Sequence, residues 1–251
     1  MTSYTVTGTA TNNSFGGGLL KVYVLDGAQL AGSPATASSP PQTAAYNCSI
    51  TTTTTGSFVY GIANNETAST TFAASSGTTI TDQASINAGG AQAAAFHTTS
   101  ATGTPGATTV GSSTTFAGNY GVVALEVLAN GTQSIDASSP AVVSSTTLTS
   151  LTTASFAPPG SNILVAVLAT VGNATGGNTC VGTVSSTPSL TWTEQIKVNS
   201  AVGGANSYIG VWTAVVPAAS TTGPALGLQS VARVPAIIVS NSGWRGAQHS
   251  R

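Results

Sequence analysis

Six carboxylates, two histidines and two cysteines are the side chains with which this chain could do acid–base, metal or nucleophilic chemistry. None of them forms a motif. Asp26, Glu66, Asp82, Glu126, Asp136 and Glu194 stand singly, His97 and His249 are isolated, and Cys48 and Cys180 lie outside any C-x-x-C pair. A zinc site needs clustered His, Cys or carboxylate ligands. A Ser-His-Asp triad would depend on His97 or His249, and no Gly-x-Ser-x-Gly elbow is present. Phosphate loops of the Walker or dinucleotide type are missing. A carboxylate pair for glycoside hydrolysis would have to be assembled by the fold. The expectation is a protein without enzyme activity, metal or cofactor. Cys48 and Cys180 read as two small buried hydrophobes, with a disulfide between them left open.

Three charged residues sit in unusual company. Glu126 follows Val122 and Ala124 at alternate positions behind Tyr120, and Glu194 shares a face with Leu190, Trp192 and Ile196. Each reads as a strand-end residue or a partner of backbone donors; the functional alternative is a polar contact at a subunit interface. Lys21, within Leu-Leu-Lys-Val, reads as a charge that blunts a strand edge, with a polar contact at a subunit interface as its functional alternative too. Trp192, Tyr208 and Trp212 read as core anchors, with a sugar-stacking platform or a subunit interface as alternatives.

The elements that position these residues are strands. Helix-favouring side chains are scarce, while Thr, Val and Gly dominate. Short apolar runs bounded by Gly, Pro, Asn and Ser predict strands at 4–10, 19–25, 46–54, 57–63, 70–74, 78–82, 92–98, 108–112 and 120–128. After a linker near 130–140, further strands are predicted at 141–145, 148–156, 163–170, 180–185, 190–199, 208–217, 225–231 and 236–240. This spacing fits an all-β chain with almost no helix, in two sandwich domains, 1–135 and 136–240, followed by an arm, 241–251. Residues 57–62 and 162–167 echo one another, and each half later returns with a Tyr-led strand; duplication and generic strand chemistry both account for this.

Charge excludes several partners. Only 4% of residues are charged, 5 Lys plus Arg against 6 Asp plus Glu, where ordinary soluble domains carry about a quarter. Five scattered cations make no basic stripe for nucleic acid. No run of 18 or more apolar residues is present, which predicts no membrane insertion. Met1-Thr2-Ser3-Tyr4 has neither a basic nor an apolar leader region, which predicts no signal peptide. With 41% apolar residues the chain has ample core and is not disordered by composition. A neutral, hydroxyl-rich surface neither steers charged ligands nor repels copies of itself.

Several phrases resemble β-rich virion proteins of the minor tail type from tailed phages that infect actinobacteria. They are Thr-Thr-Thr-Gly-Ser-Phe-Val-Tyr-Gly at 53–61, Ser-Phe-Ala-Pro-Pro-Gly-Ser-Asn-Ile-Leu-Val at 155–165, Leu-Thr-Trp-Thr at 190–193 and Tyr-Ile-Gly-Val-Trp-Thr-Ala at 208–214. The resemblance covers most of residues 20–217. It implies jelly-roll or immunoglobulin-like sandwiches on the virion exterior, made in the host cytoplasm, with copies of the chain and other virion proteins as partners. It carries no catalytic residue. Collagen-like repeats and heptads of long tail fibres are absent, which leaves capsid decoration as a second location and a host-surface glycan as a further partner. Within the arm, Trp244 is the expected buried anchor on a neighbouring subunit, Arg245 its polar partner and His249 a further interface residue; folding back on its own domain is the alternative.

Overall fold

The computed structural model describes residues 1–11, 15–30, 36–39, 45–65, 70–115, 120–148, 150–172, 181–200 and 206–218. The strands expected at 225–231 and 236–240, and Trp244, Arg245 and His249, lie outside the described residues. All regular structure described is β: β1 (Thr5–Thr11), β2 (Phe15–Gln29), β3 (Thr36–Ser39), β4 (Ala45–Thr51), β5 (Phe58–Asn65), β6 (Thr78–Ser85), β7 (Gln92–Thr98), β8 (Ala107–Thr115), β9 (Tyr120–Ile135), β10 (Val143–Ser145), β11 (Ser150–Thr152), β12 (Ile163–Gly172), β13 (Val181–Thr187), β14 (Thr193–Ser200) and β15 (Asn206–Val215). Every pairing among them is antiparallel.

One large sheet runs β14-β15-β12-β2-β9-β5-β7-β6, with β10 on β2 and β3 on β9. Strands β2 and β9 meet only through their ends, Leu25 opposite Ile135 and Gln29 opposite Leu128, with an irregularity between Asp26 and Ala28. Gly27 sits at that break with φ +61, and a Cβ there would lie 2.1 Å from the Thr132 carbonyl oxygen. A side chain is excluded, so glycine sets the corner. The sheet folds over on itself at this corner. Leu19, Tyr23, Val165, Val167, Ile209 and Val211 of one half then pack on Tyr60, Ile62, Ala93, Ala95, Val123 and Leu125 of the other, the principal core.

The outer faces of both halves are covered as well. A three-stranded sheet, β11-β1-β13, buries Val6, Ala10 and Leu151 on Leu20, Val22, Leu164, Leu168 and Trp212. The pair β4-β8 and Phe72 bury Tyr46, Cys48, Ile50 and Val110 on Val59, Ala94, Phe96, Val122 and Ala124. This stacking explains the sequence. Strands of the inner layers are buried on both faces, so β12 (ILVAVLATVG) is buried at every position. In the covering sheet β1 (TVTGTAT) alternates.

Strands from both sides of residue 135 share one sheet, since β12 pairs β2 over its full length. Residues 1–219 accordingly form one compact unit. The described structure does not part at 135/136 as expected, because the long apolar strands of each half need the other half to cover their second face. Residues 70–74 form no strand; Ala74 makes a single bridge to Ser112.

Candidate functional site

Three of the four residues singled out near the end of the described chain meet beneath β13. Tyr208 and Trp212 lie on one face of β15 with Gly210 between them. A Cβ at Gly210 would fall 2.8 Å from both the Tyr208 hydroxyl and the Trp212 ring. Its absence lets the two rings stack, centroids 5.5 Å apart. Gly182 on β13 is equally required, because a Cβ there would lie 2.2 Å from the Tyr208 ring. The Tyr208 hydroxyl emerges at the sheet edge and donates to Glu194 Oε2 at 2.8 Å. Lys197 Nζ lies 2.9 Å from Glu194 Oε1. Trp192 is half-buried and its indole N–H donates to Ser186 Oγ at 3.2 Å. A groove of about 520 Å³ is lined by Leu30, Leu190, Thr191, Thr213, Val215 and Pro217, and none of Trp192, Glu194, Tyr208 and Trp212 is among its lining residues.

Burial decides between the readings of the aromatic trio. Tyr208 is 1% and Trp212 4% exposed. Neither offers a ring face to a sugar, so both are core anchors, and the platform of three aromatics is not formed. Glu194 is solvent-accessible and contributes a single carboxylate, held by a phenol and an ammonium.

Glu126 is fully buried, so it is not an exposed interface residue of this unit. Its carboxylate caps the turn between β4 and β5. The Thr53 N–H donates to both oxygens (2.9 and 3.0 Å), and the Thr53 hydroxyl (2.8 Å), the Thr54 N–H (3.1 Å) and the Ser57 hydroxyl (2.7 Å) complete the cradle. The reading of Glu126 as a partner of backbone donors describes this arrangement.

Two carboxylates do come together, at the corner of the sheet. Asp26 and Asp136 are diagonal neighbours across the β2–β9 pairing, where the Asp136 N–H donates to the Val24 carbonyl at 2.8 Å. The Asn162 side-chain amide donates to Asp26, and the Ser138 N–H to Asp136 at 2.7 Å. Donors of Ser138 hold Asp136 below the usual carboxylate range. Among the described residues no group of three or more His, Cys, Asp or Glu is placed to hold a metal ion.

The sequence reading missed one cluster. Lys21 pairs Val167 of β12 on one side and on the other lies between the stretches of β2 that pair β10 (Gly18–Leu20) and β9 (Leu25–Gln29), so it is not on an outermost strand of the sheet, although no strand pairs it on that second side. It shares the principal-core face with Leu19, Tyr23 and Leu25, and its Nζ lies 3.1 Å from Asp82 Oδ2 on β6. Beside it the Tyr23 hydroxyl meets Thr81 Oγ1 at 2.7 Å. Tyr23, Tyr60, Phe58 and His97 surround one another at centroid distances of 5.1–6.5 Å. Burial pushes both phenols up and the His97 imidazole down from its ordinary value. His97 Nδ1 lies 2.6 Å from the Thr98 carbonyl, so Nδ1 carries the proton of the neutral ring. Strict alternation from Leu19 was the available signal for Lys21. Cys48 is buried, which pushes its thiol up to about 12 and leaves it inert; Cys180 lies outside the described residues.

Compared with known protein families, curated proteins and solved structures, the chain matches none.

Proposed function

We propose that the chain is a structural protein of the exterior of a tailed-phage virion, of the minor tail type, which assembles with its own copies and other virion proteins. The observation that supports this reading most is the outer face of β11-β1-β13. Thr5, Thr7 and Thr9 stand in register with Thr187, Ser185 and Thr183 on one side, and Thr152 and Ser150 continue the rows from Thr7 and Thr9 on the other. Every one of these side chains is a neutral hydroxyl, and lateral bonds such as Thr7–Thr152 (2.9 Å) and Thr9–Ser150 (3.1 Å) tie the rows together. Such a surface suits packing against a neighbour through apolar burial and uncharged hydrogen bonds.

Within this reading the stacked sheets are a jelly-roll or immunoglobulin-like sandwich, the protein has no catalytic role, and it contacts neither nucleic acid nor the membrane interior. Contact with a host-surface glycan would fall to Trp192, the one partly exposed member of the aromatic trio. The 241–251 arm, with Trp244, Arg245 and His249, is proposed to dock on a neighbouring subunit.

Quantitative mass spectrometry of purified particles tests the proposal. A tail component is expected at a few to tens of copies, and hundreds would assign the chain to capsid decoration instead. Its absence from washed particles would overturn the reading.

A further inference from the structure

We propose that Lys21 and Asp82 condense to an intramolecular amide bond, a covalent staple between the two halves of the folded sheet. Among the described residues the chain places two lysines, and only Lys21 is directed into a core. Its side chain is 13% exposed and that of Asp82 20%. Asp82 belongs to β6, in the half of the sheet opposite β2. Nζ lies 3.1 Å from Oδ2, yet that buried oxygen accepts no hydrogen bond. The nitrogen is therefore close to the carboxyl group without the alignment of a hydrogen-bonded ion pair. Cγ, the atom to be attacked, lies one C–O bond beyond Oδ2, and holding an amine beside a carboxyl group replaces a large part of the barrier of a bimolecular reaction.

The position of the nitrogen is fixed from two sides. It lies 3.3 Å from the Pro140 carbonyl oxygen, to which it donates, and 5.7 Å from the Tyr23 ring centroid. In water an ammonium and a carboxylate do not condense. Condensation requires one proton to pass from Nζ to Oδ2, giving a neutral amine beside a neutral acid. The amine lone pair then attacks Cγ of Asp82. The Nζ–Cγ bond forms, one Cγ–O bond breaks, and the oxygen leaves as water with two protons, both from Nζ. No oxidant, reductant or further reactant is needed.

The intact mass of the purified full chain tests this. The expected mass is lower than that of the sequence by one water. Digestion after denaturation should release the segments around Lys21 and Asp82 as a single covalently joined species. The variants Lys21→Met and Asp82→Ala should regain the full mass. A wild-type chain of full mass, with Lys21 open to acetylation after unfolding, overturns the proposal. So does a mass loss of one water in which the two segments separate, since that dehydration lies elsewhere. The wild-type measurement decides the matter even where a variant fails to fold.

Discussion

Replacing Glu126 should cost more stability than replacing any other carboxylate of the described chain. Four donors converge on it: the Thr53 N–H and hydroxyl, the Thr54 N–H and the Ser57 hydroxyl. Hydrogen bonds to a charged group are worth about 1.5–3 kcal/mol each, but these four do not simply add. Thr53 is exposed and can recruit water when the carboxylate is gone, and the Ser57 hydroxyl keeps the Thr54 carbonyl (2.7 Å) and Thr102 hydroxyl (2.8 Å) as partners. Two donors at full cost and two at partial cost give about 3–5 kcal/mol for Glu126→Ala, the range seen when one side of a buried charged network is removed. Glu126→Gln keeps the shape and one acceptor oxygen but turns an NH₂ group toward the donors, for about 2 kcal/mol. At about 2–4 °C per kcal/mol for a unit of this size, the alanine variant should melt on the order of 10 °C lower. Denaturant titration gives the free energies, and hydrogen exchange at the Thr53 and Thr54 amides gives the local effect. An alanine variant that loses less than about 1 kcal/mol would show that the turn stands without the carboxylate, and the reasoning would fail.

Three further outcomes follow from the geometry. Gly182→Ala puts a methyl group 2.2 Å from the Tyr208 ring, so the ring must shift; overpacking of this kind costs about 1–3 kcal/mol, read by thermal melting, and an unchanged melting point sinks the idea. Burial lowers the His97 pKa below its ordinary value of 6.5, so the folded state holds the neutral ring. Its contribution is full above 6.5 and declines as the pH falls below 6.5, and His97→Phe should remove that decline; parallel stability curves for the two proteins would contradict it. Asp136 is held below its ordinary value of 3.8, so its contribution is present above 3.8 and is lost as the pH falls through the folded-state value. Asp136→Asn should therefore flatten the acid limb of the melting curve, and an unaltered limb counts against the Ser138 contacts.

The strands were legible because period-2 alternation and unbroken apolar runs report burial directly. β1 alternates as one covered face requires, and β12 shows the continuous run of a strand covered on both sides. That the segments on both sides of residue 135 form one unit was not legible, because a doubly buried strand does not say which segment covers its second face. Tyr208 and Trp212 were correctly weighted as anchors, while the glycines that seat them, Gly182 and Gly210, carry no signal until the rings are placed. Lys21 was misplaced for a different reason. Its alternation with Leu19 and Tyr23 puts it on a core face, but a lone charge in an apolar strand equally fits an edge, and its partner Asp82 is remote in sequence. The juxtaposition of Asp26 with Asp136 likewise depends on the β2–β9 corner, which Gly27 sets.

The placement of the charges sharpens what their scarcity implies. Each charged residue of the described chain is engaged internally: Lys21 with Asp82, Lys197 with Glu194, Glu126 with its turn, Asp26 with Asn162 and Asp136 with Ser138. Little charge is then left to act outward from the described residues. Long-range attraction to a charged partner is weak, and so is repulsion between copies. What the described surface can offer is shape, methyl groups and hydroxyls in register, as on the face of β1. Association built on those terms has few ionic contributions for salt to screen. Sedimentation of the chain at low and high ionic strength should therefore give the same distribution of species. Dissociation by moderate salt alone would mean that the contacts run through charges in the residues beyond 218, and not through the hydroxyl face.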